Sequence, residues 1–595
     1  MTIHTKHPLD PKALASTFID AAWSSDFDQL DRLCSPTVFV HDPANPTAGI
    51  GPEAHKQFVE RITEGAIDVD VAVDYAIVGD GKVAVHTSGV LTGDNASRDQ
   101  DGAEEVTSIS GFEVMHLDAD LIVEWSGTVL PNRAVKELRT SLAGNVICPD
   151  DAEYDEARAV WNGMIDRYPG LILRCAGVSD VIKAVNFIRE NDLLVSIRGG
   201  GHNVAGSAVC DGGVVIDLSA MTGVWVDPDT RTAWVQAGAT LRDVDRETQA
   251  FGLATPLGVV SATGVSGLTL GGGLGHLRNK YGLSADNIES VGFVSITGEY
   301  LTASADQHQD LFWSIRGSGT SPGVVTGFEF DLHPVGPEVS VALVIYHSDD
   351  AIEVMRGVRE YARSSPDELS FIASLGLLPD DELFTEDVVD DLKIVIGGMY
   401  AGSPEEGEPV IEPLRELAEP IVDFSGTMRY VDFQQAFDAD YPDGRRYYWK
   451  SLYLESLSED VIDRIIEWGN MAPSPHSTAD LWTLGGAVAD VGLDDSAFPG
   501  RDSPYLLAVE ANWDDPEADE TNIEWVRDFL EDMSPFSDST VNFNFPGFHE
   551  GGDETMKRGL DDAYQRLVET KTAYDPENRL RVNQTVEQIT KEEMP

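Results

Sequence analysis

Two glycine-rich segments limit the folds open to this chain more than any other feature. The first is Val195-Ser-Ile-Arg-Gly-Gly-Gly-His-Asn-Val-Ala-Gly206, where three consecutive glycines follow a strand-like run. The second extends from Thr263 to Gly275. Consecutive glycines let backbone amides turn inward at little steric cost, and such a nest binds phosphate oxygens. Two nests separated by strands indicate a diphosphate between them, although tight turns and close helix packing are the other use of such glycines.

The common nucleotide-binding fingerprints are missing from both segments. Neither has the pattern G-x-G-x-x-G after a strand, and no G-x-x-x-x-G-K-[ST] occurs in the sequence. A Rossmann domain and a P-loop domain are therefore disfavoured.

The charge balance of the chain is strongly acidic. Lys and Arg total 41 against 103 Asp and Glu, a formal net charge of -62 over 595 residues. Nucleic acids and anionic membranes select for clustered Lys and Arg, so neither is an expected partner. A diffuse acidic excess resembles proteins of extreme halophiles, because a screening length of ~3 Å at 1 M salt makes self-repulsion cheap. We predict salt-dependent folding.

The cysteines and the apolar segments indicate neither a metal site nor a membrane span. The four cysteines, Cys34, Cys148, Cys175 and Cys210, show no paired spacing and no neighbouring histidine cluster. The N-terminus lacks an apolar signal region, and no apolar run of about 18 residues occurs. We predict a cytoplasmic protein without a metal ion.

Hydrophobic periodicity divides the chain into four segments of an α+β protein. Residues 1–137 begin with apolar positions at helical spacing and continue as alternating strands, which predicts a curved sheet closing over helices in a cone. Strands alternate with helices over 146–336, and 337–545 mixes strands and helices around a predicted antiparallel sheet. Residues 546–595 contain one further helix and end in polar residues.

A series of motifs runs in a fixed order from about residue 140 to 590. It includes Tyr154-Asp-Glu-Ala-Arg158, Arg198-Gly-Gly-Gly-His202, Gly282-Leu-Ser-Ala-Asp-Asn287, Asp310-Leu-Phe-Trp-Ser-Ile-Arg-Gly317 and Tyr574-Asp-Pro576. In these motifs the sequence resembles the p-cresol-methylhydroxylase-type FAD-binding family, specifically its berberine bridge enzyme-like oxidases. The resemblance implies a two-subdomain FAD-binding domain, a substrate domain over the flavin, and a C-terminal segment that returns to the FAD domain.

The same resemblance implies FAD as cofactor, tethered through His202. In the family, the histidine after the glycines is bonded to the flavin 8α-methyl group. The cysteine that makes a second bond in some members is replaced by Val260, so a single link is implied. The residues that the resemblance implies for cofactor binding are Arg198, Gly199, Gly200, Gly201, His202, Asn203, Gly206, Ser207, Val260, Gly264, Gly267, Leu268, Gly272, Leu274, Gly275, Val325 and Asn583.

The N-terminal segment resembles the SnoaL-like polyketide cyclase group. The resembling stretches are His41-Asp42-Pro43, Gly51-Pro-Glu53, Gly79-Asp80 and Ile122-Val-Glu-Trp125. The family's acid/base aspartate after that tryptophan is replaced by Ser126-Gly-Thr-Val129. We therefore expect an accessory role, or a homodimer formed through this domain.

Strand phase selects the catalytic candidates. Side chains two apart on a strand share a face, which pairs Tyr448 with Lys450 and Asp480 with Trp482. We predict Tyr448, Lys450 and Asp480 as catalytic, because a lysine beside a tyrosine favours proton abstraction by the tyrosine. The position of the family's catalytic tyrosine is taken by Asn542, and an amide cannot accept that proton. The alternative is that Tyr448 and Trp482 are aromatic residues packed in the core and that Lys450 extends to solvent.

These observations predict an FAD-dependent oxidoreductase that oxidises a small alcohol, sugar or related metabolite by hydride transfer to flavin N5. The electrons would pass to oxygen or another acceptor. The alternatives are a flavin-fold binding or scaffold protein that has lost its base, and a polyketide-type tailoring enzyme.

Overall fold

The structure is a computed structural model, and it describes residues 10–41, 50–62, 66–79, 81–93, 106–118, 121–377, 392–537, 540–548, 552–561 and 563–580. Within this part of the chain, no helix is long and apolar enough to cross a membrane. The predicted α+β class is confirmed, because helices pack against largely antiparallel sheets throughout the described residues.

The N-terminal domain is a curved five-stranded sheet closed by helices. Along the sheet the strand order is β1-β5-β4-β3-β2, with β1 parallel to β5 and the other neighbours antiparallel. Val83 and Val85 face the helices, whereas Ala84 faces outward, as alternation on a strand requires. The elements are α1 (Pro11–Trp23), α2 (Phe27–Leu33), β1 (Cys34–His41), α3 (Pro52–Ile62), β2 (Ala66–Gly79), β3 (Lys82–Gly93), β4 (Val106–Asp118), β5 (Leu121–Pro131) and α4 (Asn132–Ser141).

The next unit contains a small, mostly parallel sheet. Its strand order is β6-β7-β9-β8, with β7, β9 and β8 parallel to one another. The first glycine segment leaves this sheet at the end of β8. The elements are β6 (Asn145–Ile147), α5 (Tyr154–Arg158), β7 (Leu171–Arg174), α6 (Val178–Glu190), β8 (Val195–Arg198) and β9 (Val214–Asp217).

An antiparallel five-stranded sheet follows, in the order β10-β11-β15-β13-β14. A capping box between Thr240 and Asp243 starts α7, and the second glycine segment forms α8 and the loop after it. The elements are β10 (Val224–Asp227), β11 (Thr232–Gln236), α7 (Leu241–Thr248), β12 (Leu253–Ala254), α8 (Val265–Leu270), α9 (Arg278–Tyr281), β13 (Ile288–Ser295), β14 (Tyr300–Ser304), α10 (Gln309–Ser314), β15 (Gly323–Asp331) and β16 (His333–Pro334).

The third unit is an antiparallel sheet in the order β20-β17-β19-β18-β23-β24-β22, with β21 also paired to β17. Its elements are β17 (Glu338–His347), α11 (Ala351–Ala362), β18 (Leu369–Leu377), β19 (Leu392–Tyr400), α12 (Pro404–Arg415), β20 (Pro420–Asp423), β21 (Gly426–Arg429), α13 (Tyr430–Phe433), β22 (Arg446–Leu454), α14 (Glu459–Asn470), β23 (Thr478–Thr483), β24 (Tyr505–Trp513) and α15 (Asp519–Met533). Helices α16 (Gly552–Leu560) and α17 (Ala563–Tyr574) then pack beside α10.

One face of this large sheet is covered by helices, and that decides which side chains remain for the other face. On β24, Leu507, Val509 and Ala511 point into the core formed with α11, α14 and α15. Alternation therefore turns Ala508 and Glu510 to the opposite face, towards the glycine segments.

Candidate functional site

A deep cavity lies between the glycine segments and the uncovered face of the large sheet. Its empty space amounts to about 1870 Å³, including its opening to solvent. One wall is built from the two glycine segments, and the other from β18, β19, β22, β23, β24 and the loops around Phe437 and Tyr441 and at 542–545. The two walls enclose one continuous space that is open to solvent on one side.

The two glycine segments meet backbone to backbone. A Cβ on Gly200 would lie 2.5 Å from the Gly264 nitrogen, and one on Gly264 would lie 2.3 Å from the Gly200 nitrogen. Gly201 has φ +73°, a conformation that residues with a Cβ rarely adopt. Side chains larger than hydrogen would separate the segments, so glycine is required for this double loop at the cavity wall.

His202 lies in the wall of the cavity immediately after these glycines. Its ring stacks on Trp161 with 4.1 Å between ring centroids, and Trp161 stacks in turn on Tyr447 at 3.7 Å. Burial lowers the pKa of the His202 imidazole to about 4, so the ring is neutral near pH 7. Its Nε2 atom is buried and has no hydrogen-bond partner among the described residues. A neutral, unpaired imidazole nitrogen is thus available at this wall.

Most of the residues predicted to bind the cofactor line the cavity. These are Gly199, Gly200, Gly201, His202, Asn203, Ser207, Val260, Gly264, Gly267, Leu268, Leu274 and Val325. Four others do not line it, and Asn583 lies outside the described residues.

Those four residues serve packing. Arg198 donates from Nη1 to the Ala157 carbonyl at 2.7 Å, which turns it away from the cavity. Cβ atoms on Gly206, Gly272 and Gly275 would collide with Ile165, Phe498 and the Leu257 carbonyl, respectively. The end of the second glycine segment therefore serves close packing, which is the other use of consecutive glycines.

Two buried carboxyl groups face the cavity from adjacent strands. Asp480 on β23 pairs with Ala508 on β24, and Glu510 pairs with Thr478, so the two acids are diagonal neighbours on one face. Burial raises the pKa of Asp480 to about 6 and raises the pKa of Glu510 well above its usual range, with a further increase from the Asp480 charge. The Tyr441 hydroxyl donates to Glu510 Oε2 at 2.9 Å. Burial and mutual repulsion therefore make the pair hold its protons more firmly than exposed carboxyl groups do.

The other two predicted catalytic residues do not line the cavity. Tyr448 is fully buried in the core between the sheet and the helices, where Arg527 donates to its hydroxyl at 3.2 Å. Lys450 lies on the same face of β22, and Trp449 lines the cavity in their place. Asp480 and Trp482 on β23 line the cavity as the strand phase predicts, whereas the predicted pair on β22 does not line it, and Tyr448 packs towards the helices.

Sequence reasoning missed Glu510 and Tyr441. Glu510 was detectable, because it is the single charged residue within the mostly apolar strand Tyr505-Leu-Leu-Ala-Val-Glu-Ala-Asn-Trp513. Burying a lone carboxyl group is costly unless it is hydrogen-bonded, paired or protonated, so its presence in such a strand marks a candidate site residue. Tyr441 lies outside the regular elements, and no local pattern distinguishes it.

The interior of the N-terminal domain also contains a carboxyl group that the sequence did not single out. Glu113 is buried and accepts a hydrogen bond from the Trp125 indole at 3.0 Å. Burial raises its pKa to about 7. His55 packs edge-on against Trp125 and tilted against Phe18 in the same core. In this interior Glu113 Oε1 and both ring nitrogens of His55 have no hydrogen-bond partner among the described residues.

Comparison with known proteins assigns the N-terminal domain and the segment with the glycine loops to known families. Residues 169–304 match the model of the FAD binding domain family, and residues 15–125 match that of the SnoaL-like domain. Fold, cavity and sequence together define a flavin-dependent oxidoreductase with an added N-terminal domain.

Individual relatives agree with this class. An FAD-linked oxidoreductase of Dictyostelium discoideum is 32% identical over 76% of this chain and 97% of its own length. The crystal structure of 6-hydroxy-D-nicotine oxidase from Arthrobacter nicotinovorans is 26% identical, with TM-score 0.67 over 75% of this chain and 98% of that chain. A BBE-like protein of Arabidopsis thaliana is 22% identical and shares the fold, with TM-score 0.68 over 77% of this chain and 100% of that chain. The chain belongs to the FAD-linked oxidoreductases, which confirms the resemblance.

Proposed function

We propose that this enzyme holds FAD with its diphosphate between the two glycine segments, attaches the flavin covalently through His202, and oxidises a small hydroxyl-bearing substrate. The substrate class is an alcohol, a sugar or a related metabolite, and oxygen or another acceptor takes the electrons. The observation that carries the proposal is that one cavity joins the unpaired His202 nitrogen to the Asp480–Glu510 pair.

The residues present fit FAD. Gly200, Gly264 and Gly267 line the cavity without a side chain, and the Cβ position of Gly267 meets nothing within 4 Å, so backbone amides can approach phosphate oxygens there. A neutral imidazole is the form that can act as a nucleophile, and burial keeps His202 in that form. When bound, FAD supplies the hydride acceptor for the reaction.

The carboxyl pair supplies the proton acceptor. Asp480, with a pKa of about 6, is ionised at neutral pH and can take the proton from a substrate hydroxyl as the adjacent C–H bond is broken. The pKa of Glu510 is raised well above its usual range, which favours the protonated form that donates a hydrogen bond to a polar group of the substrate. A candidate base in the cavity argues against the scaffold alternative, in which the base is lost.

The lining of the cavity also limits the charge of the substrate. Among the described residues, none of the lining side chains is Lys or Arg, and two are acids. Trp449, Trp482 and Phe437 supply aromatic surface beside those acids. An anionic substrate would meet no countercharge, so neutral or cationic molecules are favoured.

Two measurements test the proposal in high-salt buffer. Mixing the oxidised protein anaerobically with panels of alcohols, sugars and hydroxylated amines should bleach the visible flavin absorbance with members of one panel. Denaturing the yellow protein should leave flavin attached to the polypeptide. Complete release on denaturation would disprove the His202 link alone, whereas the absence of bleaching by any neutral or cationic candidate would count against the proposed substrate class.

A further inference from the structure

The N-terminal domain uses the outer face of its sheet against the FAD-binding domain of the same chain. Ala84, Phe112 and Val114 point outward from β3 and β4 and share a buried apolar cluster with Tyr168 and Val209. Val209 belongs to residues 199–213, which we call the tether segment because it begins at the first glycines and includes His202. The outer face is therefore in contact with the segment that builds one wall of the cavity.

Charged groups of the N-terminal domain converge on the far end of the tether segment. Lys82 Nζ lies 3.1 Å from Asp211 Oδ2, and His116 Nε2 lies 3.2 Å from the same oxygen. Lys82 also donates to the Asp166 carbonyl at 3.0 Å. Burial opposes ionisation of Asp211, but the hydrogen bond from His116 and the charge of Lys82 bring its pKa down to about 2. Asp211 is thus a largely buried anion balanced by groups of another domain.

The backbone beside Asp211 is in equally close contact. The Thr128 hydroxyl of β5 donates to the Gly212 carbonyl. A Cβ on Gly212 would lie 2.6 Å from the carbonyl group of Ser126, and the residue has φ +64°. We name these contacts of Lys82, His116 and Thr128 with Asp211 and Gly212 the interdomain clamp.

The segment between the clamp and His202 is held by hydrogen bonds from the FAD-binding domain. Arg167 Nη1 donates to the carbonyls of Gly206 and Val209, each at 2.8 Å. Asn162 donates to the Val204 carbonyl at 2.8 Å. The backbone is therefore held by hydrogen bonds from Asp211 back to the residues beside His202. A displacement at the clamp would be transmitted along this segment towards His202.

We propose that the N-terminal domain positions the cofactor-tethering segment of this enzyme by clamping it at Asp211 and Gly212. The role rests on the proposed function in one respect, namely that the tether segment contacts FAD. The Dictyostelium relative matches 76% of this chain over 97% of its own length, so a part of this chain about as large as the N-terminal domain has no counterpart there. The domain acts as a brace, and Lys82 is a positioning residue.

The test compares full-length holoprotein variants in high-salt buffer. Lys82→Met removes the cation, Lys82→Arg keeps it, and Lys56→Met is the matched control, because Lys56 pairs with Asp31 at 2.9 Å inside the N-terminal domain. The first measurement is amide hydrogen exchange of peptides from 203–212. The second is the temperature at which flavin fluorescence rises, compared with the temperature at which far-UV dichroism is lost.

We expect exchange at 203–212 to be about tenfold faster in Lys82→Met, since hydrogen bonds to charged groups are among the stronger ones. Flavin fluorescence should rise at a temperature below the loss of secondary structure. Lys82→Arg should keep the exchange rate at 203–212 and the temperature of the fluorescence rise at the values of the unsubstituted enzyme. Lys56→Met should alter neither quantity. Exchange and a temperature of the flavin fluorescence rise equal to those of the unsubstituted enzyme, or an equal effect of Lys56→Met, would overturn the proposal.

A second variant covers the case in which Lys82→Met fails to fold. Asp211→Asn keeps an acceptor for the Tyr168 amide, which donates to Asp211 Oδ1 at 2.6 Å, but removes the charge. It should give the same faster exchange, and unchanged exchange would refute the clamp. Neither measurement needs turnover, so an enzyme that holds FAD yet oxidises no candidate substrate would contradict the proposed function and leave this inference standing.

Discussion

Replacing Asp480 with asparagine isolates the proton acceptor of the proposed reaction. The substitution preserves the size of the side chain and removes its ability to accept a proton. General base catalysis contributes about 10²–10⁴-fold, so kcat/KM should fall by that factor, or about 3–5 kcal/mol of transition-state stabilisation. In the unsubstituted enzyme, kcat/KM should rise with pH through a midpoint near or above 6, because Asp480 must be ionised and titrates together with Glu510. In Asp480→Asn this rise should be lost or displaced.

The same substitution should lower activity but raise the stability of the folded enzyme at neutral pH. Asp480 has a folded-state pKa raised from 3.8 to about 6, so the folded enzyme loses stability as pH rises through that window. At about 1.4 kcal/mol per pH unit, holding the ionised carboxyl costs about 3 kcal/mol above pH 6. Asp480→Asn should therefore unfold at a higher temperature than the parent at pH 7 to 8, and this advantage should vanish below pH 4.

Stopped-flow bleaching of the flavin absorbance is the assay, and Tyr448→Phe is the control. Tyr448 lies in the same sheet but faces the helices, so its substitution should change the rate of flavin reduction less than threefold, by about 0.6 kcal/mol or less. Full reduction rate in Asp480→Asn would refute the assignment of the base. Loss of activity in Tyr448→Phe with normal folding would refute the orientation of the sheet relative to the substrate.

The remaining predictions concern the cofactor wall and the surface charge. His202→Ala should bind flavin that is released completely on denaturation, whereas the parent keeps it; flavin retained by the variant would exclude His202 as the link. Gly200→Ala should destabilise the fold by about 1–3 kcal/mol, because its Cβ would lie 2.5 Å from the Gly264 nitrogen, while Gly177→Ala, which meets nothing within 4 Å, should leave the unfolding temperature unchanged. With a net charge of -62, the unfolding temperature should fall on transfer from molar to low salt, and a constant temperature would show that self-repulsion is unimportant.

Local sequence was sufficient for the cofactor wall. Consecutive glycines followed by His202 predict a backbone cradle next to an imidazole, since the absence of a Cβ is a property of the residue itself. The structure places Gly200 and Gly264 in direct contact and His202 beside them. No local sequence pattern predicts the interdomain clamp at Asp211, because Lys82 and His116 lie in another domain and are far from Asp211 in sequence.

The sequence by itself determined the α+β class, the dinucleotide-type glycine segments and the pairing of side chains along each strand, because these depend on backbone freedom and on a period of two residues. Only the tertiary structure decided which face of the large sheet meets the cavity, since that depends on where α11, α14 and α15 pack. Their position buries Tyr448 and turns Asp480 and Glu510 towards His202. A shared site assembled from distant strands is created by packing, and packing is a property of the whole chain.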